Sequence, residues 1–88
     1  MAQAFNYTNI ATGTTTTVKT GGGMLHTLTV NTTAAGAITV YDNTAGSGTK
    51  IATIKASVVE QTFVFDLSFT TGLTIVTAAA SDITVSWD

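Results

Sequence analysis

The chain contains no cysteine, no proline and no arginine, and His26 is its only histidine. Each absence removes a class of answer. Without cysteine there is no disulfide framework, and one imidazole with five scattered acids offers no zinc ligand set, so neither metal nor cofactor is expected. Lys19, Lys50 and Lys55 are the only basic side chains besides His26, too few to neutralise the phosphates of a nucleic-acid groove. No apolar run is long enough to span a bilayer, so no membrane partner is expected. The opening stretch Met1-Ala2-Gln3-Ala4-Phe5-Asn6 lacks the basic and apolar regions of a secretory signal, which implies use without export by that route.

Charge is scarce as well. Charged residues make up 9% of the chain, against roughly 25% in ordinary soluble domains. Disordered chains are charged and poor in apolar residues, whereas this one is 44% hydrophobic. At 88 residues it is long enough for one domain, spanning 1–88, with a thin core. Small domains add disulfides, metals or partner subunits to reach stability. With the first two excluded, oligomerisation is the stabiliser left.

Threonine fills the gap left by charge, at about a quarter of the residues. It is β-branched and favours strands while its hydroxyl faces water. Alternation of period two dominates the chain. Phe63, Phe65, Leu67 and Phe69 share one face of a strand over Thr62–Phe69. Ile83, Val85 and Trp87 do so over Asp82–Trp87, which makes Trp87 a core residue. Leu73, Ile75 and Thr77 mark a third strand after a turn at Thr71-Gly72. The pattern places Met24, His26, Leu28 and Val30 on one face of a strand over Met24–Asn31. Ala37–Asp42 and Thr49–Lys55 read as a hairpin across Asn43-Thr44-Ala45-Gly46-Ser47-Gly48. Thr14–Lys19 and, more weakly, Phe5–Ile10 complete the set. Seven or eight short strands with turns about every ten residues predict an all-β domain, a small antiparallel β-sandwich or jelly-roll-like barrel.

No motif carries catalysis. His26 sits among apolar positions and reads as a core or interface residue, not as the base of a triad. Asp42, Glu60, Asp66, Asp82 and Asp88 are dispersed and read mostly as solvated charges, with no glycosidase pair among sequence neighbours. In Ala45-Gly46-Ser47-Gly48-Thr49-Lys50 the lysine follows the threonine and a strand comes next, so a phosphate-binding loop is not expected. Asn6-Tyr7-Thr8 and Asn31-Thr32-Thr33 match the glycosylation pattern, as expected by chance in so threonine-rich a chain. Thr-x-Thr pairs such as Thr27-Leu28-Thr29 lack the regular repeat of an ice-binding solenoid.

Sheet edges are normally guarded by lysine, proline or inward charge, and this chain has few such guards. Either neighbouring subunits cover its edges or they pair with one another. Residues 1–12 read as an amino-terminal arm or an edge strand. Phe5, Tyr7 and Ile10 are its candidate partner-contacting anchors.

The phrases Ile38-Thr39-Val40-Tyr41-Asp42-Asn43-Thr44-Ala45, Gly48–Ile54, Phe69–Val76 and Asp82–Val85 resemble small β-sandwich structural proteins of tailed bacteriophages, including capsid decoration or cement proteins. The likeness runs from about Gly23 onward. It implies a homotrimer, made in the host cytoplasm and seated on the capsid exterior of the virion, that clamps adjacent major capsid protein subunits. It carries over no catalytic or metal residue. A head fibre, neck or tail protein shares the same texture. A soluble carbohydrate-binding sandwich, using Tyr7, Tyr41 or Trp87, is the reading from another class.

Overall fold

A computed structural model describes residues 5–88; residues 1–4, the start of the possible arm, lie outside the described residues. Eight strands follow in order: β1 (Asn6–Ile10), β2 (Thr15–Thr20), β3 (Gly23–Thr32), β4 (Ile38–Tyr41), β5 (Lys50–Ile54), β6 (Thr62–Phe69), β7 (Gly72–Thr77) and β8 (Asp82–Trp87). They form two four-stranded sheets, ordered β1-β8-β3-β6 and β2-β7-β4-β5, and every neighbour is antiparallel.

The pairing has a simple logic. β1 lies on β8, β2 on β7, β3 on β6 and β4 on β5, so the chain is one long hairpin whose tip is the β4–β5 loop. Rolling that hairpin up brings β8 beside β3 and β7 beside β4, which closes the two sheets. This strand order is a jelly roll, with the two sheets packed face to face around one core. The expectation of an all-β antiparallel β-sandwich holds, with the jelly-roll order laid out as two sheets rather than a closed barrel.

Alternation decides which side chains enter the core. Leu28, Val30, Ile83 and Val85 face inward from the first sheet, and Ile38, Val40, Leu73 and Ile75 meet them from the second. Phe69 closes one end of this layer. Buried polar groups are few and bonded. The Thr77 hydroxyl donates to the Thr12 carbonyl at 2.6 Å and accepts from the Thr14 amide at 3.0 Å. Thr74 donates to the Asn43 carbonyl at 2.7 Å. No buried side-chain nitrogen or oxygen among the described residues lacks a partner, as a thin core requires.

One face assignment is corrected. Met24 and His26 are not on the inner face; Leu25 is, fully buried, ahead of Leu28 and Val30. The register of β3 against β8 slips between Leu25 and Thr27, so His26 is an extra residue with no counterpart on β8. Such a bulge reverses the facing of every side chain before it. A strict two-residue count through His26 therefore places Met24 on the wrong side.

Asp42 is also more than a solvated charge. Its carboxylate accepts the backbone N–H groups of Thr70 (3.1 Å), Thr71 (2.9 Å) and Gly72 (3.4 Å), clasping the β6–β7 turn from the end of β4. These donors, Thr71 and Thr70 foremost, hold the carboxyl below its ordinary value of 3.8. Glu60 is lowered likewise, chiefly by the Thr33 amide at 3.1 Å. For both groups the folded value lies below the unfolded one. Their stabilisation is complete above the unfolded value and is lost as pH falls through the folded value. Acid titration of the unfolding midpoint should therefore fall less steeply below pH 3.8 in Asp42→Ala, which should also melt lower than wild type at pH 7. A variant with the wild-type acid profile would rule the clasp out.

Candidate functional site

The strand order leaves four edges. β1 and β2 bound one side of the sandwich, and β5 and β6 bound the other. Between β5 and β6 the sheets part to form a groove of about 510 Å³ lined by Ile54, Val58, Phe63 and Phe65, with Lys55 and Gln61 at its rim. Ile54 and Val58 form its buried floor, while Phe63 and Phe65 are only half covered. The crossover from β5 to β6 passes through Ser57, which takes the left-handed conformation (φ 55°). Its amide bonds the Ala34 carbonyl at 2.9 Å. That turn sends Val58 inward and leaves Val59 71% exposed beside the groove.

The two strands differ in charge. Lys50 begins β5 and Lys55 follows its last residue, whereas Glu60 precedes β6 and Asp66 lies on it; all four are exposed. Val64, on the outer face of β6, is 67% exposed. A long edge strand with apolar side chains on both faces and one negative charge is poorly guarded against pairing with another chain.

Beside this edge lies a polar cluster. Asp66 adopts φ 48°, a left-handed conformation that Asp tolerates better than most residues. Here β6 carries an extra residue against β3, opposite the bulge at His26. The two bulges meet side by side, and His26 Nδ1 hydrogen-bonds Asp66 Oδ1. Phe5 stacks on the imidazole, with centroids 4.1 Å apart and planes 11° from parallel. Imidazole and carboxylate are two of the three groups a hydrolytic triad needs. The adjacent hydroxyls of Thr27 and Ser86, however, bond each other, and Asp66 is half exposed. The arrangement suits a brace joining β1, β3 and β6. No group of three or more potential metal ligands occurs among the described residues.

The three amino-terminal anchors part company. Phe5 is held against His26. Ile10 is buried in the protein's own core, so it is not available to a partner. Tyr7 alone projects outward, 75% exposed, on the outer face of β1. From Asn6 onward the segment is an edge strand in register with β8, not a free arm. Trp87 packs against the core, donates Nε1–H to Thr8 Oγ1 at 3.1 Å, and has the Lys19 ammonium 5.8 Å from its ring centroid.

The outer faces are hydroxyl- and amide-rich. On the first sheet Asn9 and Asn31 both donate to Asp82, at 2.7 and 3.3 Å, and Thr29 bonds Thr62 at 3.0 Å. On the second the β4–β5 loop folds back, so that the Thr17 hydroxyl reaches the Thr44 carbonyl at 3.2 Å. Sequence reasoning located the poorly guarded edges in general but missed the groove, whose walls lie on strands separated by a crossover. The signal was present in the apolar alternation of Phe63 and Phe65, which a fully closed sandwich would have buried.

Comparison with known proteins returns no matching family model, no matching curated protein and no matching solved structure.

Proposed function

We propose that the chain is a non-enzymatic structural subunit of a phage virion, a decoration or cement protein that sits outside the capsid and bridges neighbouring major capsid protein subunits. The observation that carries this reading is the open β5/β6 edge: two edge strands, each with one side unpaired, flank an apolar groove in a chain with only eight charged side chains. Such an edge suits strand addition and apolar packing against another protein surface. The jelly-roll order supports it more weakly, since viral capsid domains use that order but so do domains of unrelated function. The likeness to small phage β-sandwich proteins points the same way. The carbohydrate-binding reading has less to stand on, because the Trp87 ring is packed and bonded inward.

Each copy would contribute modest affinity, and a symmetric shell carrying many copies would raise retention through effective concentration. Apolar contact also makes the binding tolerant of salt. Purified heads stripped of this protein should retain it on co-sedimentation at both about 0.1 and about 1 M salt, where the Debye length drops from about 10 to about 3 Å. Release on raising salt over that range would count against apolar docking, and no retention at either salt would refute the proposal.

A further inference from the structure

The β5/β6 edge carries a charge pattern that selects its own partner. β5 is positive at both ends, through Lys50 and Lys55, and β6 with its approach is negative, through Glu60 and Asp66. We propose that this edge binds a second copy of the chain in a closed two-fold dimer, with β5 of each copy alongside β6 of the other. The inference rests on the reading of this edge as an assembly surface and names its occupant in the free protein; on heads a capsid subunit displaces the second copy from the same edge.

A two-fold contact places the same patch on both subunits, so the patch must complement itself. Two arrangements of the edge satisfy the symmetry. An axis perpendicular to the sheets sets β5 against β5 and β6 against β6. Lysines then face lysines and acids face acids, an arrangement like-charge repulsion opposes. An axis running along the strands exchanges the two layers and sets β5 against β6 twice. Lys50 and Lys55 of each copy then face Glu60 and Asp66 of the other. Each four-stranded sheet continues into the partner's opposite sheet, and the two grooves meet. Phe63 and Phe65, half exposed in one copy, would be covered on both sides at the centre of the contact. The charges choose which edge meets which, while the apolar centre supplies most of the affinity. Asp66 bonds His26 and Glu60 accepts the Thr33 amide, yet both stay exposed, the Asp66 side chain at 54%. Such a contact closes at two copies, unlike the threefold assembly implied by the phage resemblance. It leaves Tyr7 and the β1/β2 side facing outward.

Light scattering on the full chain during size-exclusion chromatography tests this. Wild type should elute at twice the 9.0 kDa chain mass. Lys50→Glu with Lys55→Glu, both on exposed positions, should elute at the single-chain mass with an unchanged far-ultraviolet circular dichroism spectrum. Adding Glu60→Lys and Asp66→Asn to that variant restores one opposite-charge pair and removes the acid–acid repulsion at 66, and should restore the dimer; Asn is chosen because it also tolerates the left-handed backbone at 66. A trimeric or monomeric wild type would overturn the proposal, as would a dimer indifferent to the charge reversals. A monomer that still binds heads, and loses them on the lysine reversals, overturns the second copy while leaving the edge as the assembly surface. A monomer whose head binding ignores those reversals overturns both.

Discussion

Phe69→Ala should destabilise the protein by about 3–5 kcal/mol, the range for emptying a buried aromatic site. Phe69 ends β6, is 2% exposed, and lies across Gly23 of β3, where an added Cβ would sit 2.9 Å from the ring's Cζ. The neighbouring backbone is fixed by β3–β6 pairing and by the reciprocal Met24–Asp88 bonds, both 2.9 Å, so the cavity has little freedom to collapse. A domain of this length is expected to have a total stability of about 4–13 kcal/mol. The variant should therefore lose about a quarter or more of the wild-type stability, as read by urea unfolding. A loss below about 1 kcal/mol would mean that Phe69 is not a central packing residue.

Gly36→Ala should be the most damaging of the conservative loop changes, at about 1–3 kcal/mol or more. Gly36 lies in the β3–β4 crossover, and a Cβ there would stand 2.6 Å from the Ala79 amide nitrogen and 2.8 Å from the Ala78 carbonyl carbon. Those atoms belong to the β7–β8 crossover, tied in place by the Ala78 amide to the Ala37 carbonyl at 3.0 Å. The obstruction is the Ala78–Ala79 backbone with the Ala79 Cβ at 2.7 Å, so relief requires moving the two crossovers apart, and with them the sheets they join. Gly13 makes the control. It faces the same Ala79 backbone at 3.4 Å, an ordinary contact, and Gly13→Ala should change stability by less than about 0.5 kcal/mol. At about 4–8 °C per kcal/mol for a domain of this size, the two variants should melt several degrees apart. Equal melting temperatures would show that the two crossovers are not in contact.

Much of the fold was legible because alternation is a local signal. Phe63 to Phe69 and Ile83 to Val85 revealed their strands and inner faces without help from any distant residue. The face of Met24 was misread because the bulge at His26 is defined only against β8, some sixty positions away in sequence. Strand order was invisible for the same reason: nothing local in β1 announces that it lies on β8. Asp42 looked like one more surface acid because its three donors belong to a turn 28 to 30 residues downstream. Of the amino-terminal anchors, Ile10 was misjudged because an apolar residue suits an edge strand and a partner-seeking arm equally well. The low charge and unguarded edges raise the expectation of association, but only the sandwich shows that β5 and β6 open on the same side with a groove between them.

The central claim is that the β5/β6 edge is where this protein meets other subunits. Hydrogen–deuterium exchange of the protein free and bound to phage heads tests that most directly. The free protein is measured at a concentration at which light scattering gives the single-chain mass. The account predicts amide protection gained across Lys50–Ile54 and Thr62–Phe69, with Asn6–Ile10 and Thr15–Thr20 little changed. Protection confined to β1 and β2, with β5 and β6 exchanging as in the free protein, would contradict it.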